Sequence, residues 1–123
     1  MNEVFAFLKE CGAFFIITDN KGTPAGRPFN SMIEDGKDLI IGVSNTKDIY
    51  RQLKENGRVQ IVSLSGGNKW IRANGYALEE FDAFELKEKL FNEDNYVRTH
   101  FSSSTDERLS IFRIDVIDYI IYE

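Results

Sequence analysis

Turn signals constrain this chain more than any other feature. Asp19–Asn20–Lys21–Gly22, Asp35–Gly36 and Gly66–Gly67–Asn68 cut the sequence into short runs rich in β-branched and aromatic residues. Strands joined by tight turns pair antiparallel. The β-type runs are 13–18, 27–34, 37–43, 58–64, 69–79 and 110–122, which makes six. Gly75 marks a bulge or a close backbone approach in the fifth, and Asp118 is read as a break in the sixth. The simplest architecture is a small, partly closed antiparallel barrel, because closure hides edge strands.

Helical spacing interrupts this pattern in three places. Residues 2–10 place Val4, Phe5, Leu8 and Cys11 on one face and stop at Gly12. Residues 46–56 do the same with Ile49, Tyr50 and Leu53, behind Ser44, Asn45 and Thr46 as competent N-caps. Residues 83–91 form a third helix with Asp82 as cap. Residues 92–108 are polar and weakly patterned, with a loop at 102–105. The chain reads as one mainly β (α+β) domain over residues 1–123.

With 123 residues, the chain can bury a core but has little left to enclose a deep site. A pocket shared by two subunits would resolve that. The net charge of −5 argues against nucleic acid as the main partner. The apolar run 13–17 is far shorter than the ~20 residues a membrane helix needs, so no membrane partner is expected. No leader pattern opens the sequence, and Cys11 is the single cysteine, so neither an internal disulfide nor a cysteine zinc cage can form. A cytoplasmic location follows as the expectation.

Four places could carry chemistry. Pro28 lacks an N–H for a ladder, which implies an edge or bulge where Arg27 and nearby backbone can meet a ligand. The plain alternative is an exposed arginine beside a strand start. Ser44, Asn45, Thr46 and Lys47 precede a helix whose free N–H groups and dipole attract anions, though a simple cap reads the same way. Trp70 and Arg72 share one strand face and could hold a flat anion by stacking and charge-assisted bonds, or form a cation–π pair over the core edge. His100, the one histidine, has no neighbours that would make a metal or catalytic site. No P-loop or Ser/His/Asp order is present, and the catalytic residues are unassigned.

Taken in order, Gly22-x-Pro24-x-x-Arg27-Pro28-Phe29, Asp38 to Lys47, Tyr50-Arg51-Gln52-Leu53, Trp70 to Gly75 and an aromatic C-terminal strand resemble the pyridoxamine 5′-phosphate oxidase-related, FMN-binding proteins. The likeness is to their short bacterial, nitroimidazole-resistance-like members. It implies a six-stranded antiparallel split β-barrel with flanking helices, and a homodimer with FMN at the subunit interface. By the same resemblance, Arg27 and Lys47 would neutralise the FMN phosphate with help from Ser44, Asn45 and Thr46. Pro28, Phe29 and Asn30 would lie along the isoalloxazine edge. Gln52, Trp70 and Arg72 would contact the flavin or its tail, some from the partner. The longer oxidases carry a C-terminal Arg-x-His element that is absent here, so vitamin B6 oxidation is not expected.

The implied activity is an FMN-dependent oxidoreductase that passes electrons from a reduced nicotinamide nucleotide to a small-molecule acceptor. The alternatives are a flavin-binding protein for storage or redox sensing, or the same barrel holding haem or a deazaflavin.

Overall fold

The computed structural model describes residues 2–123. The chain runs α1 (Glu3–Cys11), β1 (Phe14–Asn20), β2 (Thr23–Phe29), β3 (Ile33–Asp35), β4 (Asp38–Ser44), α2 (Asp48–Glu55), β5 (Arg58–Leu64), β6 (Trp70–Glu80), α3 (Phe84–Glu93), α4 (Asn95–His100) and β7 (Leu109–Tyr122). All strands join one sheet in the order β2-β1-β5-β6-β7-β4-β3, with every pairing antiparallel.

The connectivity alone requires this sheet to curl. β2 and β3 occupy its two opposite edges, yet only Asn30, Ser31 and Met32 separate them in the chain. Four residue steps reach at most about 14 Å. Six strand spacings laid flat would span about 29 Å. The edges therefore come close, and no ladder joins them among the described residues, which makes a split barrel. The short helix α2 fits inside this curvature, touching β1, β4 and β6 together.

The mainly β, antiparallel expectation holds, with seven strands in place of six. The predicted strand over 27–34 is divided because its two halves pair with different partners, β1 and β4. The chain must leave one edge to reach the other, and Ser31 and Met32 are buried in the crossing. The break expected at Asp118 is instead a bulge. The register shifts between Asn74 and Gly75, leaving Ile117 as the extra residue of a continuous β7. At Gly75 a Cβ would lie 2.3 Å from the Asp115 carbonyl oxygen, so the backbones approach where only glycine fits.

Inside the barrel, Phe14 and Ile16, Leu39 and Ile41, Ile61, Ile71 and Phe112 pack with Val4, Phe7 and Leu8 of α1 and Ile49 and Leu53 of α2. Each fully buried side chain of this size contributes roughly 1.5–3 kcal/mol. β4 is buried on both faces. Ile40 points outward into a second cluster with Ile33, Leu90, Val97, Phe101, Leu109 and Ile111, so α3 and α4 cover the outer face of β3, β4 and β7. Among the described residues, nothing covers the outer face of β1, β5, β6 and the end of β7 in this way. Phe15 is 52%, Leu64 65% and Ile120 52% exposed there.

Candidate functional site

The site begins with a hairpin. Asp19 Oδ1 accepts the Gly22 amide at 2.6 Å, and Lys21 and Gly22 take positive φ values. β2 then returns along β1 with Arg27 opposite Ile16. Ile16 faces the core, so Arg27 shares the inner face, on an edge strand beside α2.

There the guanidinium meets neutral acceptors only. Arg27 Nη1 donates to Thr18 Oγ1 at 2.8 Å and to the Ile16 carbonyl at 3.3 Å, and Nη2 donates to Gln52 Oε1 at 2.7 Å. The Thr18 hydroxyl donates in turn to Gln52 Oε1. Thr18 is 2% and Gln52 3% exposed, while Arg27 is half-buried. Burial lowers the Arg27 pKa, and the Asp48 charge acts the other way. A guanidinium remains charged under these conditions. No carboxylate forms an ion pair with it among the described residues.

The segment expected to cap α2 does something else. α2 begins at Asp48, its N-cap is Lys47, and no side chain caps it. Ser44 and Thr46 instead bond each other at 2.7 Å. The Asn45 side chain is drawn to the Glu107 carbonyl at 2.8 Å and to Ser110. The N-terminus of α2 is thus left with uncapped backbone donors, beside an exposed Lys47 and on the helix that carries Gln52. α3 shows a comparable departure: Ala83 is its N-cap, and Asp82 takes φ 55°.

Beyond Arg27, Pro28 and Asn30 are exposed, and Phe29 packs on Phe14 with ring centroids 6.2 Å apart. Pro28, Phe29 and Asn30 line a cavity of about 270 Å³ with Ala13, Ser31 and Tyr96. Tyr96 belongs to α4, which lies in the polar, weakly patterned stretch 92–108. Asp94 caps that helix through the Val97 amide and holds Ser31 at 2.5 Å. His100 stacks on Tyr96 at 3.9 Å, and its Nδ1 lies 2.9 Å from the Tyr96 carbonyl.

Trp70 and Arg72 form a separate group. Arg72 is opposite Val62, which is opposite Phe15, and this places it on the outer face. Trp70 stacks on Tyr122 at 4.2 Å and 15°. Arg72 donates to the Tyr122 hydroxyl at 3.0 Å and lies 5.5 Å from the Trp70 ring. Within one protomer, then, the predicted residues divide. Arg27 and Gln52 sit inside, with Lys47 at the start of the helix that carries Gln52, and Trp70 and Arg72 sit outside. Thr18, Tyr96 and Tyr122 were missed. Only Thr18 had a sequence signal: alternation from Phe14 through Ile16 puts it on the inner face.

No group of three or more His, Cys, Asp or Glu among the described residues is placed to hold a metal ion. No helix of the described residues is long and apolar enough to cross a membrane.

These features define a class, a split antiparallel barrel with an unneutralised arginine on its inner rim. The pyridoxamine 5′-phosphate oxidase family profile matches residues 1–120, and the chain belongs to that family. Among solved structures, a NimC/NimA family protein from Clostridium acetobutylicum is 26% identical with a TM-score of 0.84, the match covering 97% of this chain and 88% of that one. The general stress FMN/FAD binding protein from Xanthomonas citri is 21% identical with a TM-score of 0.76, covering 95% and 85%. HutZ from Vibrio cholerae, a haem storage protein, is 15% identical with a TM-score of 0.73, covering 98% and 95%. No curated protein matches the chain in sequence.

Proposed function

We propose that this protein is a cytoplasmic FMN-binding homodimer that passes electrons from a reduced nicotinamide nucleotide to a small acceptor. The observation that carries the reading is Arg27: a half-buried guanidinium, oriented by neutral partners and in no ion pair with a carboxylate of the described residues, beside the uncapped N-terminus of α2. A phosphate supplies the charge this arrangement lacks. Arg27, Lys47 and the Ser44–Thr46 backbone would hold it. The flavin brings the redox chemistry, and the chain supplies binding, orientation and electrostatics. The exposed apolar residues of the outer face, Phe15, Leu64 and Ile120 among them, support pairing of two copies, which would bring Trp70 and Arg72 of one protomer toward the site of the other. The lone Cys11 suits a reducing compartment.

The test is an absorbance spectrum of purified protein from 300 to 600 nm, before and after FMN and desalting. Retained flavin bands support the reading, and NAD(P)H oxidation across an acceptor panel then tests turnover. Flavin retention without turnover favours storage or sensing. Haem has one residue in its favour, the exposed His100, which lines a second, separate cavity together with Lys9, Asn30 and Tyr96. A Soret band after haem addition, without flavin retention, would replace FMN by haem.

A further inference from the structure

We propose that Thr18 is a positioning residue that aims Arg27 at the ligand phosphate while leaving its charge intact. The inference rests on the flavin reading above. An arginine on an edge strand has a long, flexible stem and many rotamers to lose on binding. Two acceptors lie within reach of the single Thr18 hydroxyl proton, Gln52 Oε1 and, farther off at 3.3 Å, the Ala25 carbonyl; given to the nearer, Gln52, the proton leaves a lone pair turned toward Arg27 Nη1, which donates to it at 2.8 Å. Gln52 Oε1 takes the second guanidinium nitrogen at 2.7 Å. Both acceptors are buried, so neither is free to swing away. Both are also neutral. A carboxylate in either place would orient the guanidinium equally well but would cancel the charge that a phosphate needs. The Nε–H of Arg27 and the amide NH2 of Gln52 make no hydrogen bond among the described residues, which leaves donors for the anion.

The experiment is an equilibrium titration of full-length protein with FMN, and with riboflavin as the ligand lacking phosphate, for wild type, Thr18→Val and Thr18→Ser. Thr18→Val keeps the shape and removes the hydroxyl. It is expected to weaken FMN binding at least about tenfold, the scale of one lost hydrogen bond to a charged group. Riboflavin affinity should not change, and Thr18→Ser should restore FMN binding. A purely structural role would move both ligands together. Equal FMN affinity in Thr18→Val, or parallel loss of FMN and riboflavin, overturns the proposal. If wild type binds no FMN, the flavin reading falls and inorganic phosphate decides Thr18, read by thermal shift. Stabilisation of wild type but not of Thr18→Val supports the positioning role, and equal or absent shifts overturn it.

Discussion

Gln52 shows how much depends on a single atom type. Its Oε1 accepts from Arg27 and Thr18 at once, in a position where glutamate would fit with almost no change of shape. Gln52→Glu would place a carboxylate in direct contact with Arg27, and the internal ion pair would compete with any bound anion. FMN affinity measured by titration is expected to fall about tenfold or more, with the protein still folded by circular dichroism. Arg27 was legible in the sequence because Pro28 beside it announces an edge. The contact with Gln52 was not, since it joins a strand to a helix 25 positions away. Tyr122, stacked on Trp70, escaped for the same reason. Periodicity reports the face a residue occupies but not its neighbour across the sheet.

Among the secondary elements, two glycines differ in what surrounds them. A Cβ at Gly42 would meet the flexible ends of Leu90 and Leu109, at 2.6 and 3.1 Å, while one at Gly75 would meet the Asp115 backbone. Side chains can yield where backbone cannot. Gly75→Ala should therefore cost more than about 2 kcal/mol and Gly42→Ala nearer 1 kcal/mol, as read by denaturant unfolding. Asp106 organises the approach to β7. Its carboxylate accepts from the Arg108 side chain and from the Ser102 and Arg108 amides, and these bonds, the Arg108 side chain first, hold its pKa well below the usual carboxylate range. A depressed acid stabilises the fold above its unfolded pKa and loses that contribution as pH falls toward its folded one. Asp106→Asn should therefore flatten the decline of Tm with acidification below about pH 4. α4 was not foreseen because a short helix gives too few turns for a period. Its cap, Asp94, and its buried pair, Val97 and Phe101, were in the sequence, but the polar residues between them hid the pattern. The N-caps of α2 failed for a different reason: other parts of the fold had claimed those side chains.

For the whole molecule, the uncovered outer face makes the clearest prediction. Ile120 lies at its β7 border, opposite Arg72, and is half exposed in the protomer. On the pairing proposed above, Ile120→Arg should leave the protomer folded by circular dichroism but shift sedimentation from dimer to monomer, with weaker flavin retention alongside. The barrel itself was largely legible, because turns at fixed places dictate antiparallel neighbours. The seventh strand was not, because residues 30–32 carry no glycine to announce that the chain changes edges. That crossing has a further consequence. Everywhere else the dimensions of the barrel are set by hydrogen-bonded spacings that cannot be altered. Across the split they are set by a short tether of covalent chain. The width of the opening beside Arg27 is thus an adjustable length. An added or deleted residue between Phe29 and Ile33 would widen or narrow it while every rung of the sheet stayed in place.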